Sequence, residues 1–174
     1  MATSTPTPPD SAPGPEPRQQ SLATVREQVA ALDDLVAVAE HSIRVFDYDL
    51  SEMGWNAPAR AEKLAAFLRG SRTAKLEIII HDTRWLESSC PRLVAFLRGF
   101  SDRITIYKTG PEAKGASDPL VIVDGRHFLH RFHVEQPRAS LVTDDPHLAR
   151  PLVNRFEEIW ATGEPGLTGT VLGL

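Results

Sequence analysis

The chain has 174 residues and one cysteine, Cys90, so it closes no disulfide within itself and builds no cysteine-rich zinc site. That usage suits a reducing compartment. Cys90 precedes a proline at the start of a helical pattern, and a free cysteine in such a place is expected to fill core space, not to act as a nucleophile. No run of 18 apolar residues occurs, which leaves no candidate for a membrane-spanning helix. The N-terminus has no apolar segment of the signal-peptide kind, so a cytoplasmic protein without membrane partners is expected. Excess basic charge is missing too. Nineteen Lys and Arg against 23 Asp and Glu give a net charge of -4, a poor balance for non-specific binding of nucleic acid, which is not expected as a partner.

Residues 1–20 hold six of the fourteen prolines and little to bury, and are expected to form a disordered tail. From Ser21, read as a helix N-cap, the residues Leu22, Val25, Val29, Leu32, Val36 and Ala39 recur at helical spacing. Ile43–Phe46 reads as a strand leading to Asp47, Tyr48 and Asp49. A helix opened by Pro58 follows, with Leu64, Phe67 and Leu68 on its apolar stripe. Lys75–Ile80 is a second strand ending in His81 and Asp82. A helix from Pro91 and a third strand, Ile104–Tyr107, come next. Strands alternating with helices predict an α/β fold with a largely parallel or mixed sheet flanked by helices. Ser140–Thr143 reads as a short strand, and Asp145 as the cap of a helix from Pro146. Pro151 should bend that helix or mark its true start. The folded domain is expected to span residues 21–162, with 163–174 a flexible tail.

The most informative stretch is Ser117–His133. Asp124-Gly125-Arg126 sits between two apolar runs and signals a hairpin, because glycine takes positive φ without steric cost. Phe128 and Phe132 share one face of the returning strand; His127, Leu129, Arg131 and His133 share the other. A three-residue turn pairs 123 with 127, 121 with 129, 119 with 131 and 117 with 133. On a strand His127 and His133 stand roughly 20 Å apart, so a three-histidine metal site within this segment is not expected.

In open α/β sheets ligands sit beyond the carboxyl ends of the strands. Asp47, Asp49, His81 and Asp82 arrive there, where carboxylates and an imidazole can hold a divalent metal or share a proton. The more ordinary roles are a loop cap for Asp49 and a turn start for Asp82.

The order of these elements, with I-R-V-F-D-Y-D-L early and V-T-D-D-P-H-L-A-R-P-L-V-N-R-F-E-E-I-W late, resembles one half of the phospholipase D superfamily over residues 22–162. The family's signature is H-x-K-x(4)-D before the hairpin turn. Asp124 matches its aspartate, while Ser117 stands at the nucleophilic histidine and Pro119 at the phosphate-binding lysine. Serine without a base cannot replace an imidazole near neutral pH, and proline offers neither charge nor donor. The chain is thus similar to degenerate bacterial modules of this family.

The resemblance implies a non-catalytic homodimer that binds a ligand or a partner protein, with no cofactor or metal. His81, Arg131 and His133 are expected to bind an anion such as phosphate. A competing reading is that V-F-D-Y-D-L-S resembles the haloacid dehalogenase-type phosphatases. Asp47 would then be the nucleophile, Asp49 the general acid, Thr83 and Lys108 the phosphate binders, and Asp144 or Asp145 the magnesium ligand. Residual phosphodiesterase activity is the remaining alternative.

Overall fold

The apolar run at the centre of each strand and the helical stripe that follows it account for the core of the fold, described by a computed structural model over residues 14–168. The strands are β1 (Arg18–Leu22), β2 (Ser42–Asp47), β3 (Lys75–Ile80), β4 (Ile104–Lys108), β5 (Leu120–Val123), β6 (His127–His133), β7 (Gln136–Thr143) and β8 (Glu164–Leu167). The helices are α1 (Val25–Val38), α2 (Pro58–Gly70), α3 (Arg84–Ser89), α4 (Pro91–Gly99) and α5 (Pro146–Ala161). The strands form one eight-stranded sheet in the order β1-β7-β6-β5-β2-β3-β4-β8. β2, β3 and β4 run parallel to their neighbours in that trio, and the remaining pairs are antiparallel. The sheet is therefore mixed.

Strand alternation divides the core in two. Val45, Ile78, Ile80, Ile106, Val121 and Leu129 meet Leu32, Leu35, Leu64, Leu68, Leu93 and Leu97, contributed by α1, α2 and α4 on one face. Phe46, Ile79, Leu120, Ile122 and Phe128 meet Ala149, Phe156 and Ile159 of α5 on the other. Cys90 is buried at the start of α4, as expected of core filler, and burial pushes its thiol pKa up.

The hairpin forms as the turn residues dictate. Asp124 and Gly125 both take positive φ, 53° and 65°, and Val123 pairs with His127 and Val121 with Leu129.

Several elements depart from expectation. Arg18–Gln20, assigned to the tail, lie in β1, which pairs with β7; residues 1–13 lie outside the described residues. The cap of α1 is Thr24, not Ser21: its side chain accepts from Glu27 N while the Glu27 carboxylate accepts from Thr24 N, a reciprocal capping box. β7 begins at Gln136, joined to β6 by a link without glycine, so no local turn signal announced it. α5 continues through Pro151 as a single helix, where a bend or later start was expected. The segment after Gly163, expected to fray, forms β8 as far as Leu167; it is held where Trp160 stacks on Tyr107 at 4.4 Å.

Candidate functional site

The parallel trio ends on one rim of the sheet, and there a cavity of about 480 Å³ opens on the α5 side. β2 delivers Tyr48 to its wall, β3 delivers His81, and β4 delivers Lys108 and Thr109. The chain then returns through a loop carrying Lys114, Ser117 and Pro119, and His133 closes the ring from the end of β6.

His81 is fully committed within this wall. Its Nε2 lies 2.7 Å from the carbonyl oxygen of Ala116, which can only accept, so Nε2 carries the proton. In the neutral ring Nδ1 then accepts from the Thr109 hydroxyl at 2.6 Å. The ring stands edge-on to Phe46 and pins the loop to the strand ends. His133 is placed differently. Its Nδ1 accepts from Glu135 N at 3.1 Å, which leaves Nε2 to carry the proton of the neutral imidazole, without a partner among the described residues.

Arg131 does not join them. The ladder between β6 and β7 shifts register between Arg131 and His133, so His133 parts from the face that Arg131 still shares with Leu129. Arg131 is buried on the opposite face of the sheet, where Nε donates to Gln136 O at 2.8 Å and Nη1 pairs with Glu52 at 2.5 Å. The hairpin register otherwise follows expectation through Pro119, whose carbonyl accepts from Arg131 N. The Ser117 carbonyl accepts from Val134 N, one residue beyond the expected partner.

The three aspartates at the strand ends part company. Asp47 is buried on the Arg131 side, and its Oδ1 accepts from Tyr48 N at 2.6 Å. Burial pushes its carboxyl up to about 7; Tyr48 N and Arg131 pull against that, and the Asp49 and Glu52 carboxylates add to it. Asp49 accepts from the Ser51 N–H and hydroxyl at 2.9 and 2.7 Å, a loop cap. Asp82 is held down to about 2 by the side chain and backbone N–H of Arg84. Among the described residues no three His, Cys, Asp or Glu side chains gather to hold a metal.

The phosphatase constellation is not assembled either. Asp47 ends β2, whereas Asp144 lies at the opposite rim, paired with Arg126 at 2.9 Å beside the strand that runs next to the start of β2. Asp145 caps α5 through Leu148 N at 2.9 Å. Four or more strand residues of about 3.3 Å each separate the proposed nucleophile from its metal ligand. Thr83 sits at the start of α3 without a side-chain capping bond.

Asp124 has a structural task. Its carboxylate accepts three backbone N–H groups, from Glu40 at 2.9 Å, His41 at 2.7 Å and Ser42 at 2.8 Å, and so ties the hairpin to the junction of α1 and β2. A second carboxylate escaped the sequence reading. Asp118 lies between Ser117 and Pro119 and accepts from His130 Nε2 at 2.9 Å and Arg155 Nε at 2.7 Å, binding the hairpin to α5. Burial would raise its pKa, but His130 and Arg155 outweigh that and hold it at about 2. The placement of His130 on the α5 face was the available signal; no local pattern pointed to Arg155.

A family model described as "Domain of unknown function (DUF7931)" matches residues 24–168. The chain belongs to this family. No curated protein sequence matches it. Several solved structures share the fold of the DUF7931 domain. TrmBL2, described as an archaeal chromatin protein with a novel mode of DNA binding, superposes with a TM-score of 0.64 at 10% identity, over 86% of this chain and 54% of TrmBL2. The chain thus spans about half the length of TrmBL2. Nuc from Salmonella typhimurium, a phospholipase D family member, gives 0.59 at 19% identity, over 88% of this chain and 100% of Nuc. NucT from Helicobacter pylori gives 0.58 at 15%, over 87% and 100% respectively. The DUF7931 domain therefore has a phospholipase D-like α/β fold, as its order of elements implied. No helix among the described residues is long and apolar enough to cross a membrane.

Proposed function

We propose that this chain is a non-catalytic phospholipase D-like module that binds a phosphate-bearing ligand in the cavity at the ends of β2, β3 and β4. One observation carries the reading. Ser117 and Pro119, at the positions of the signature's nucleophile and phosphate-binding lysine, both line that cavity. The Ser117 hydroxyl has no hydrogen-bonded base among the described residues, so nothing raises its nucleophilicity. The cavity nevertheless keeps donors suited to an anion: His133, Lys108 and Lys114, opposed by Glu135 alone. His81 positions the loop, and Arg131, committed to Glu52, drops out of the set of anion ligands.

The shared chemistry is phosphate, free or in a nucleic acid. TrmBL2 binds DNA according to its description, so DNA belongs among the ligands tested despite the net charge of -4. Inorganic phosphate and a short single-stranded oligonucleotide, titrated separately against wild type, His133→Ala and Lys108→Ala, distinguish the sources. Each substitution is expected to weaken binding about tenfold, the effect of roughly 1.4 kcal/mol. Equal binding by wild type and His133→Ala overturns the reading.

Pairing with a second copy completes the proposal. Tyr48 in the cavity wall and Phe132 beside His133 are about half exposed, at 48% and 52%, and offer apolar surface to a second copy. Light scattering at micromolar concentration is expected to give twice the 19.2 kDa chain mass; a strict monomer removes this part.

A further inference from the structure

Behind the wall formed by Phe46 and Pro119, on the α1 side of the sheet, lies a second and much smaller cavity of about 20 Å³. Gln28 and Trp55 line it, and each has one buried polar atom without a partner among the described residues, Gln28 Oε1 and Trp55 Nε1. Both residues are at least 99% buried, at 0% and 1% relative exposure. Such atoms are costly to leave unpaired in a protein interior, at roughly 1–3 kcal/mol each.

Neither can turn away. The Gln28 amide is oriented by Nε2, which donates to Pro137 O at 2.6 Å, and this aims Oε1 elsewhere. The Trp55 ring is packed beneath the Arg60 guanidinium at 5.3 Å, and Arg60 is itself fixed by Asp33, Met53 O and Val29 O. One atom can only accept a hydrogen bond and the other can only donate one. A metal cation cannot accept from the indole N–H, and an anion cannot donate to the amide oxygen. The volume matches a single water-sized probe and little more.

We propose that one internal water molecule occupies this cavity, accepting from Trp55 Nε1 and donating to Gln28 Oε1. Asp47 and Arg131 border the same space, so the water stands beside the buried carboxyl and guanidinium as part of one polar cluster. It joins α1 to the loop after β2, a loop that Arg131 of the hairpin already holds through Glu52.

A crystal structure of the full chain, at a resolution that shows ordered solvent, is expected to place one density peak within hydrogen-bond distance of both atoms. In solution, the Trp55 indole N–H is expected to show a cross-relaxation peak to long-lived water that Trp85 and Trp160 do not share. Trp55→Phe, which keeps an aromatic group and removes the indole N–H donor, should lose the peak at that hydrogen-bond distance. An empty cavity in the wild-type crystal, or a peak touching one atom only, overturns the proposal, and that outcome needs no variant to fold. Phosphate binding in the larger cavity is read independently of either result.

Discussion

Replacing Asp47 by asparagine is expected to stabilise the chain above neutral pH and to remove a slope in its stability between about pH 4 and pH 7. Burial raises this carboxyl from an ordinary 3.8 to about 7, so across that interval the unfolded chain has released a proton that the folded chain still holds. Stability therefore falls as pH rises through the window, is greatest in this respect below pH 4, and levels off above 7. At roughly 1.4 kcal/mol per pH unit the interval sets a ceiling of about 4 kcal/mol. Asparagine keeps an oxygen for Tyr48 N and never ionises, so its variant escapes this loss. Chemical denaturation of wild type and Asp47→Asn at pH 5 and pH 8 checks the sign. The variant's advantage should grow toward pH 8, and an equal difference at both values would show that Asp47 does not titrate in this range.

The second large effect is a loss. Asp124→Ala removes one carboxylate that serves three backbone donors at the start of β2. It also leaves alanine at φ 53°, a left-handed conformation that aspartate tolerates better. Hydrogen bonds to a charged group contribute about 1.5–3 kcal/mol when buried, and those to Glu40 and His41 are solvent-exposed. A total loss of about 3 kcal/mol is the expected outcome, read as a lower denaturation midpoint with an unchanged slope. Asp124→Asn should recover part of it, because the amide oxygen still accepts and asparagine suits positive φ. The work of Asp124 is to hold the hairpin against β2, and that work needs no chemistry in the cavity.

The fold was legible wherever one segment carried its own signal. The stripes of α1, α2, α4 and α5, the apolar runs of β2 to β5, and the Asp124-Gly125 turn are local patterns, and each element formed close to where they placed it. β1 and β8 were missed because they are edge strands whose existence depends on β7 and β4, distant in sequence. Four of the five residues of β1 are exposed, which gives no alternation to read. Pro151 misled for a related reason, since tertiary packing of Phe156 and Ile159 carries α5 past a residue that disfavours it locally. In the site, His81 and His133 line one cavity: His81 arrives at a strand end as expected, and His133 arrives past a break in the expected register. Arg131 does not line it: it keeps the register and stays with Leu129 on the α1 face, and only His133, beyond the register shift, reaches the cavity. No spacing rule in a single sequence announces such a shift. Asp118, His130 and Arg155 likewise meet only once α5 is laid across the hairpin.

One assay bears on the central claim most directly: incubation of pure, metal-free chain with bis(p-nitrophenyl) phosphate, beside Ser117→Ala and His133→Ala. With proline and an unassisted serine in the cavity, wild type is expected to release no more nitrophenolate than buffer does. Steady turnover by wild type, lost in either variant, would contradict the account.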